Sequence, residues 1–338
     1  VSSAGAVWGE GPAALLASDA VRRFEADLNA LLPLGAAFGL AVSGGPDSVA
    51  LLLLAAAARP EGCLVATVDH DLRPESAVEA LLVERLCAAL ELPHETLKLR
   101  WAEPPLSALQ EQARAARYAA LGDWAVANGL GAVLTGHHRD DQAETMLMRL
   151  SRGSGVRGLA AMRADAPLPG GSGIRLIRPL LDWSRAELGE ICAVAGVEPC
   201  HDPGNDNAQF ERVRFRQALA MLDLDPAALA RSARALEDAD RALEWVADEL
   251  WVARVRPDEH GGLVLKVADL PAELRRRLVT RAVAELDPAG VPLRGRECDE
   301  LLDRLAAGTS ASVRSLIARG GPQWAFLPAP PRQPRKPG

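Results

Sequence analysis

The sequence predicts a doubly wound parallel α/β sheet, then a helical linker and a small α+β domain at the carboxyl end. Three observations predict it. Short apolar runs alternate with helix-length segments up to about residue 150. Polar motifs, the first and last of them bearing glycine, follow the first, second and fourth of those runs, where a doubly wound sheet presents its ligand. Beyond Asp225 the alternation stops, and a long helical pattern leads to two shorter helices and a hairpin signal.

The elements follow in order. Residues 36–42 form the first strand candidate, and residues 49–58 the helix after it. Residues 64–68, 95–99 and 132–135 are the next strand candidates. Helices are expected over 75–90, about 107–127, and from about 141. Residues 164–173, rich in proline and glycine, read as a loop, and so does Asp202-Pro203-Gly204-Asn205-Asp206-Asn207. Ser184 with Glu187 has the spacing of a capping box, and Gly196 followed by Pro199 closes that helix. Asp225 and Pro226 read as N-cap and N1 of a helix running to about residue 255. Helices over 272–286 and 296–307 and a hairpin over 312–327 complete the pattern. The expected organisation is a catalytic domain over 1–224, a linker over 225–256, a small domain over 257–328 and a disordered tail over 329–338.

Composition narrows the function. The chain has 338 residues and a net charge of −7, which argues against indiscriminate polyanion binding. Its five cysteines form no CxxC pair, so zinc and iron–sulfur chemistry are not expected, and an odd, scattered set suits a reducing compartment. No apolar run is long enough for a membrane helix and residues 1–20 lack the pattern of a secretion signal, so a cytoplasmic protein is expected. Six arginines (Arg149, Arg152, Arg157, Arg163, Arg175 and Arg178) crowd residues 146–181 against one acid, Asp165. They read either as an RNA-facing patch or as a solvated surface.

The chemistry begins at Ser43-Gly44-Gly45-Pro46-Asp47-Ser48, between a strand and a helix. A helix start offers unpaired N–H groups and the positive end of a dipole, and glycines let backbone approach a phosphate. Asp47 is out of place in an anion site unless Mg²⁺ bridges it to the phosphates. The loop is not a Walker A motif, having no lysine. Two further motifs end strands: Asp69-His70-Asp71-Leu72-Arg73-Pro74, and Gly136-His137-His138-Arg139-Asp140-Asp141 with Glu144. Each admits a structural reading beside a functional one. Asp141 and Glu144 could cap their helix, His137 could be a satisfied buried histidine, and Arg114 and Arg117 could be solvated charges.

Taken together, these segments, with Arg152-Gly153-Ser154-Gly155 and Arg178-Pro179-Leu180-Leu181, resemble the tRNA(Ile)-lysidine synthases, within the PP-loop ATP pyrophosphatases. The resemblance spans roughly residues 40–217 and, more weakly, 312–327. It implies a Rossmann-like PP-loop domain that uses ATP and Mg²⁺ to join free L-lysine to carbon 2 of the wobble cytidine in a CAU-anticodon tRNA(Ile). The base is first adenylated with loss of pyrophosphate, and lysine then displaces AMP. The implied nucleotide site is Ser43, Gly44, Gly45, Pro46, Asp47, Ser48, Asp69, His70 and Gly136, with Asp47 also on the metal. The implied catalytic residues are Asp47, His137 and Asp141, with Arg114 or Arg117 on phosphate. Asp47, His137 and Asp141 all stand as candidates to deprotonate the lysine amine. The region after Asp225 is expected to recognise the tRNA body, where Arg275, Arg276, Arg277, Arg314 and Arg319 could meet phosphates or, for the first three, form a solvated helix face.

Overall fold

A computed structural model describes residues 18–70, 75–99, 109–200, 211–287, 290, 293 and 295–329. They fall into two compact units, divided near residue 234. The turn expected over 202–207 and the tail from residue 330 lie outside the described residues.

The first unit runs α1 (Asp19–Leu31), β1 (Phe38–Ala41), α2 (Pro46–Ala58), β2 (Cys63–Asp69), α3 (Glu75–Ala89), β3 (His94–Lys98), α4 (Leu109–Ala127), β4 (Ala132–Thr135), α5 (Arg139–Leu150), α6 (Val156–Leu159), β5 (Asp165–Pro167), β6 (Arg175–Ile177), α7 (Arg185–Val194) and α8 (Glu211–Met221). The sheet order is β3-β2-β1-β4-β6-β5. All pairs are parallel except β5 with β6. Alternate strand residues feed opposite faces. Leu40, Val65, Leu134 and Ile177 join a core with α1, α2, α3 and α7. Ala66, Val133 and Leu176 join a second core built on Tyr118, Leu121 and Trp124 of α4. The parallel, doubly wound sheet expected from the sequence is therefore present.

Helix α2 explains much of this packing. Its apolar residues surround it rather than forming a stripe, and residues 48–55 are all buried. It is sandwiched, packing against both α1 and α7. It begins three residues earlier than the apolar pattern suggested, because Pro46 is preset for the first helical position.

The expected capping box at α7 is formed. Ser184 Oγ accepts from Glu187 N at 3.2 Å, while Glu187 Oε2 accepts from Ser184 N at 2.7 Å. Arg23 of α1 donates to the other Glu187 oxygen at 2.7 Å. Burial pushes the Glu187 pKa up, but the bonds from Ser184 and Arg23 outweigh it and bring it to about 2.

One expectation is corrected here and another is narrowed. Residues 164–173 are not wholly loop: β5 lies there as an edge strand, where Pro167 costs no ladder bond. The arginine cluster is divided: Arg152 and Arg157 are exposed, while Arg149, Arg175 and Arg178 act as scaffolding. Arg149 donates to Gly158 O and Ala161 O, Arg175 pairs with Asp165, and buried Arg178 donates to Arg163 O. Backbone carbonyls of Gly158, Ala161 and Arg163 take up guanidinium protons of Arg149 and Arg178, a demand that composition does not reveal.

Helix α9 (Pro226–Arg254) starts as the sequence indicates, with Asp225 accepting from Ala227 N and Ala228 N. The second unit then contains β7 (Val255–Pro257), β8 (Leu263–Leu265), α10 (Ala272–Leu286), α11 (Gly295–Ala306), β9 (Ser310–Val313), β10 (Leu316–Arg319) and β11 (Trp324–Pro328). Its antiparallel sheet has the order β7-β8-β11-β10-β9. Leu278, Val279 and Val283 of α10 and Leu301 and Leu305 of α11 share its core with Trp324 and Phe326. Where a single hairpin was expected, three strands meander and β11 also pairs with β8. Arg277 is not on a solvated face: it is buried, and its guanidinium meets Asp240 at 2.7 Å, Glu244 at 2.5 Å and Glu273 at 3.0 Å. Arg276 pairs with Asp299, and Arg314 with Asp287. No helix among the described residues is long and apolar enough to cross a membrane.

The Glu187 interaction has a defined pH window. Its folded pKa is depressed, so its charge stabilises the fold above the unfolded value near 4.5, and the stabilisation fades as pH falls through about 2. Glu187→Gln keeps a capping side chain and removes the charge. Thermal melts should place the variant below wild type at pH 7 by under about 1 kcal/mol, with the gap closing by about pH 2. A gap independent of pH would assign the effect to packing.

Candidate active site

Strands β1 and β4 are adjacent and parallel, while their outer neighbours β2 and β6 lie on opposite sides. The chain after β1 and the chain after β4 therefore diverge, opening a crevice at the carboxyl ends of the strands. A cavity of about 610 Å³ occupies it, walled by Ser43 and residues 45–48, the ends of β2 and β4, α4, the first turn of α5, and α8.

The first wall is the glycine loop. Gly44 has φ +88°, a left-handed conformation that starts the turn. Gly45 is the N-cap of α2 with no side chain to occupy the end of the helix. Ser48 Oγ ties the loop together, accepting from Ser43 N at 3.1 Å and donating to Gly45 O at 2.9 Å. Cys200 N holds Gly44 O from outside at 2.9 Å. The first turn of α2 thus offers its free N–H groups to the cavity.

The second wall starts at Gly136. A Cβ placed there would stand 2.7 Å from Asp47 O and 3.0 Å from Ser48 N. Only glycine lets the end of β4 lie against the start of α2. The next residue, His137, lines the cavity with its Nδ1 2.8 Å from Thr135 Oγ1. Burial, reinforced by Arg178, Arg212, Arg117 and Arg114, pushes its pKa well below the usual value, so the ring is neutral. His138, the N-cap of α5, turns the other way and is fully buried. Its Nε2 lies 3.4 Å from Asp47 Oδ2 and 3.6 Å from Asp141 Oδ2, and its Nδ1 lies 3.6 Å from Asp140 Oδ2. Burial pulls its pKa down, but Asp140, Asp47 and Asp141 together raise it to about 9.

A layer of arginines covers the carboxylates. Arg212 of α8 donates to Asp141 Oδ1 at 2.7 Å and Glu144 Oε2 at 2.6 Å. Arg216 donates to Glu144 Oε1 at 2.7 Å, and Arg185 of α7 stands 3.7 Å from the same oxygen. Buried Glu144 thus orders three cations that keep one side toward the cavity. Across the cavity, the Arg114 and Arg117 guanidinium groups lie 5.0 and 5.3 Å from the centre of the Tyr118 ring, within cation–π range.

The structure brings most of the residues singled out from sequence into this one cavity. Ser43, Gly45, Pro46, Asp47, Ser48, His70, Arg114, Arg117, Gly136, His137 and Asp141 all line it. Gly44 and Asp69 stand behind the lining: Gly44 shapes the turn, and buried Asp69 accepts from Ser76 Oγ at 2.5 Å. Asp141 caps α5 by accepting from His138 N at 3.0 Å, while Glu144 does not share that role. Sequence reading missed Arg185, Arg212 and Arg216. The four-residue spacing of Arg212 and Arg216 places both on one helix face, but only the return of α8 to the α5 turn reveals what that face meets. Among the described residues no group of three or more His, Cys, Asp or Glu is placed to hold a metal ion. A cation here would need ligands from bound phosphate beside Asp47.

Comparison with known proteins agrees with this geometry. A family profile described as the PP-loop domain matches residues 19–222. A tRNA(Ile)-lysidine synthase of Novosphingobium aromaticivorans is 46% identical over 97% of this chain and 99% of its own length. One from Zymomonas mobilis is 41% identical over 89% and 91%. The chain belongs to the tRNA(Ile)-lysidine synthase family. Among solved structures, the U34-tRNA thiolase NcsA from Methanococcus maripaludis, with its 4Fe–4S cluster, superposes with a TM-score of 0.56 at 14% identity, covering 67% of this chain and 80% of that one. At that identity the likeness concerns the fold alone. For this lysidine synthase family member the profile begins at α1, earlier than the motifs had suggested, because α1 is part of the core under α2.

Gly136→Ala tests the contact between the two walls. The added methyl must displace the start of α2, a strain of about 1–3 kcal/mol. We expect a folded protein with a lowered melting temperature and ATP affinity reduced about tenfold or more in titration calorimetry. Unchanged ATP affinity would show that the two walls need no such approach.

Proposed function

We propose that this enzyme joins L-lysine to carbon 2 of the wobble cytidine of CAU-anticodon tRNA(Ile), through an adenylated base, in the cytoplasm. The observation that carries the reading is the meeting of the glycine loop with the histidine–carboxylate turn of α5 in one cavity. A lysine amine cannot expel the oxygen of a cytosine carbonyl, whereas AMP is a good leaving group. In the first step the carbonyl oxygen of the base attacks the α phosphate of ATP, and the bond to pyrophosphate breaks. The N–H groups at the start of α2, with Ser43 and Ser48, hold the departing pyrophosphate. Arg114 and Arg117 neutralise phosphate from one side, and Arg212 and Arg216 from the other.

In the second step the lysine ε-amine attacks carbon 2, the carbon–oxygen bond breaks, and AMP leaves with the oxygen. A free amine with a pKa near 10.4 is mostly protonated at pH 7, so it must lose a proton in the site. Asp47, His137 and Asp141 face the cavity as acceptors. His137, held neutral, is also available as a hydrogen-bond partner to the base.

Magnesium fits this site. Asp47 Oδ1 is buried without a hydrogen-bond partner beside the glycine loop, and a hard cation shared with phosphate oxygens would satisfy it. When bound, Mg²⁺ supplies positive charge against the charge that develops on pyrophosphate. The linker over 225–256 and the small domain over 257–328 serve tRNA selection in this proposal. An initiator tRNA(Met) shares the CAU anticodon, so discrimination needs contacts elsewhere on the tRNA. Arg275 and exposed Arg319 remain suited to phosphate there, whereas Arg277 is committed to its buried carboxylates.

The direct test incubates the enzyme with tRNA(Ile), ATP, Mg²⁺ and lysine, without iron. The tRNA should gain the mass of one lysine less one water, confined to the wobble cytidine, with one AMP released per event. ATP turnover without mass gain would refute the substrate. Asp47→Asn should abolish AMP formation. His137→Ala and Asp141→Asn should each lower the rate at least about tenfold, or about 1.4 kcal/mol. Variants that melt lower yet keep full turnover would reduce these residues to packing and capping.

A further inference from the structure

We propose that His138 is the positioning residue for Asp47: it holds one carboxylate oxygen against the α5 wall and so presents the other to the divalent cation on ATP. The inference rests on the ATP-using function proposed above and extends it to a residue that touches neither substrate nor cavity. His138 has no exposed surface and is not part of the cavity lining. Its ring is nonetheless surrounded by carboxylates from both walls. Asp47 Oδ2, from the glycine loop, lies 3.4 Å from Nε2, and Asp141 Oδ2, from α5, lies 3.6 Å from the same nitrogen. On the far side, Nδ1 lies 3.6 Å from Asp140 Oδ2, which also accepts from Arg185 N at 3.0 Å at the start of α7. The ring therefore spans from the start of α2 to the start of α7.

The two Asp47 oxygens have different surroundings. Oδ2 faces the imidazole, while Oδ1 is buried with no hydrogen-bond partner. A carboxylate free to rotate would exchange the two oxygens. An imidazole set between Asp140 and Asp47 at ion-pair range, with neither nitrogen in a hydrogen bond, restrains that freedom by charge, so one oxygen stays directed to the metal position. The backbone adds rigidity, because His138 N donates to Asp141 Oδ2 and the Gly136 backbone packs on the Asp47 carbonyl. A histidine kept only to fill space would not need three carboxylates in reach of its two nitrogens. Phenylalanine would fill that space and would leave Asp47 unguided.

The test compares full-length wild type, His138→Phe and His138→Gln, in which the Gln amide keeps one donor toward Asp47. Mn²⁺ is the probe, read by the loss of its free electron paramagnetic resonance signal with and without ATP. Metal-free ATP binding is measured separately. His138→Phe should weaken ATP-dependent Mn²⁺ binding at least tenfold, with metal-free ATP affinity within about twofold of wild type. Raised Mg²⁺ should restore part of its turnover, and His138→Gln should fall between the two. In an Asp47→Asn background, His138→Phe should cause little further loss of Mn²⁺ binding, since the effect runs through Asp47. Unchanged Mn²⁺ affinity in either variant would overturn the proposal, and so would equal losses of metal-free ATP binding or additive losses in the double variant. If His138→Phe does not fold, the Gln variant and the double variant built on it decide. Wild type that forms lysidine with Mn²⁺ bound while the variants keep their affinity refutes only the positioning role. Wild type that neither binds Mn²⁺ with ATP nor forms lysidine refutes the functional reading itself.

Discussion

The close approach of Gly136 to the start of α2 is the contact on which the rest of the site depends. Backbone lies on backbone there, with no room for a Cβ. This is possible because β1 and β4 are neighbours in the sheet, so the segments that follow them begin side by side before they diverge. Without that approach the free N–H groups of α2, neutral His137 and the Asp141 carboxylate would belong to separate surfaces. With it they face one cavity.

Electrostatics completes what the backbone begins. Five acidic or imidazole groups, Asp47, His138, Asp140, Asp141 and Glu144, crowd the two walls, and leaving them unpaired away from water would be costly. Each meets an opposite charge or a backbone donor. His138 answers three of the aspartates, while arginines from α7 and α8 answer Glu144 and Asp141. The same arginines leave the cavity side positive, which suits a polyphosphate. Adjacent histidines in one sequence motif thus have opposite protonation tendencies, with the His137 pKa lowered and that of His138 raised. Burial lowers both; around His137 nearby cations add to it, whereas around His138 three carboxylates outweigh it.

Local features were legible in the sequence wherever a short-range rule governed them. The glycine loop, the capping box at Ser184 and the start of α9 at Asp225 each depend on residues within about four positions. Elements held by distant partners were not legible. The strand at Asp165 exists because β6 offers an edge, and the fifth strand of the small sheet because β8 reaches β11. Helix α1 carries no chemical motif and went unread, although Phe24 and Leu28 belong to the core beneath α2. Arginine roles were read least well, since charge density at 146–181 looks the same whether the guanidinium groups face water or loop carbonyls.

By itself, then, the sequence determined the alternating α/β pattern, the glycine loop at a helix start and the family, because each is written in contiguous residues. Tertiary structure decided which charges share a space. That Arg212 of α8 would meet Asp141 and Glu144 of α5 depends on where a helix some seventy residues later returns to the sheet. That His138 would turn inward while His137 faces the cavity depends on the backbone angle at the α5 N-cap and on the carboxylates waiting behind it. Charges act through space at a few ångströms, and separation along the chain does not predict that distance.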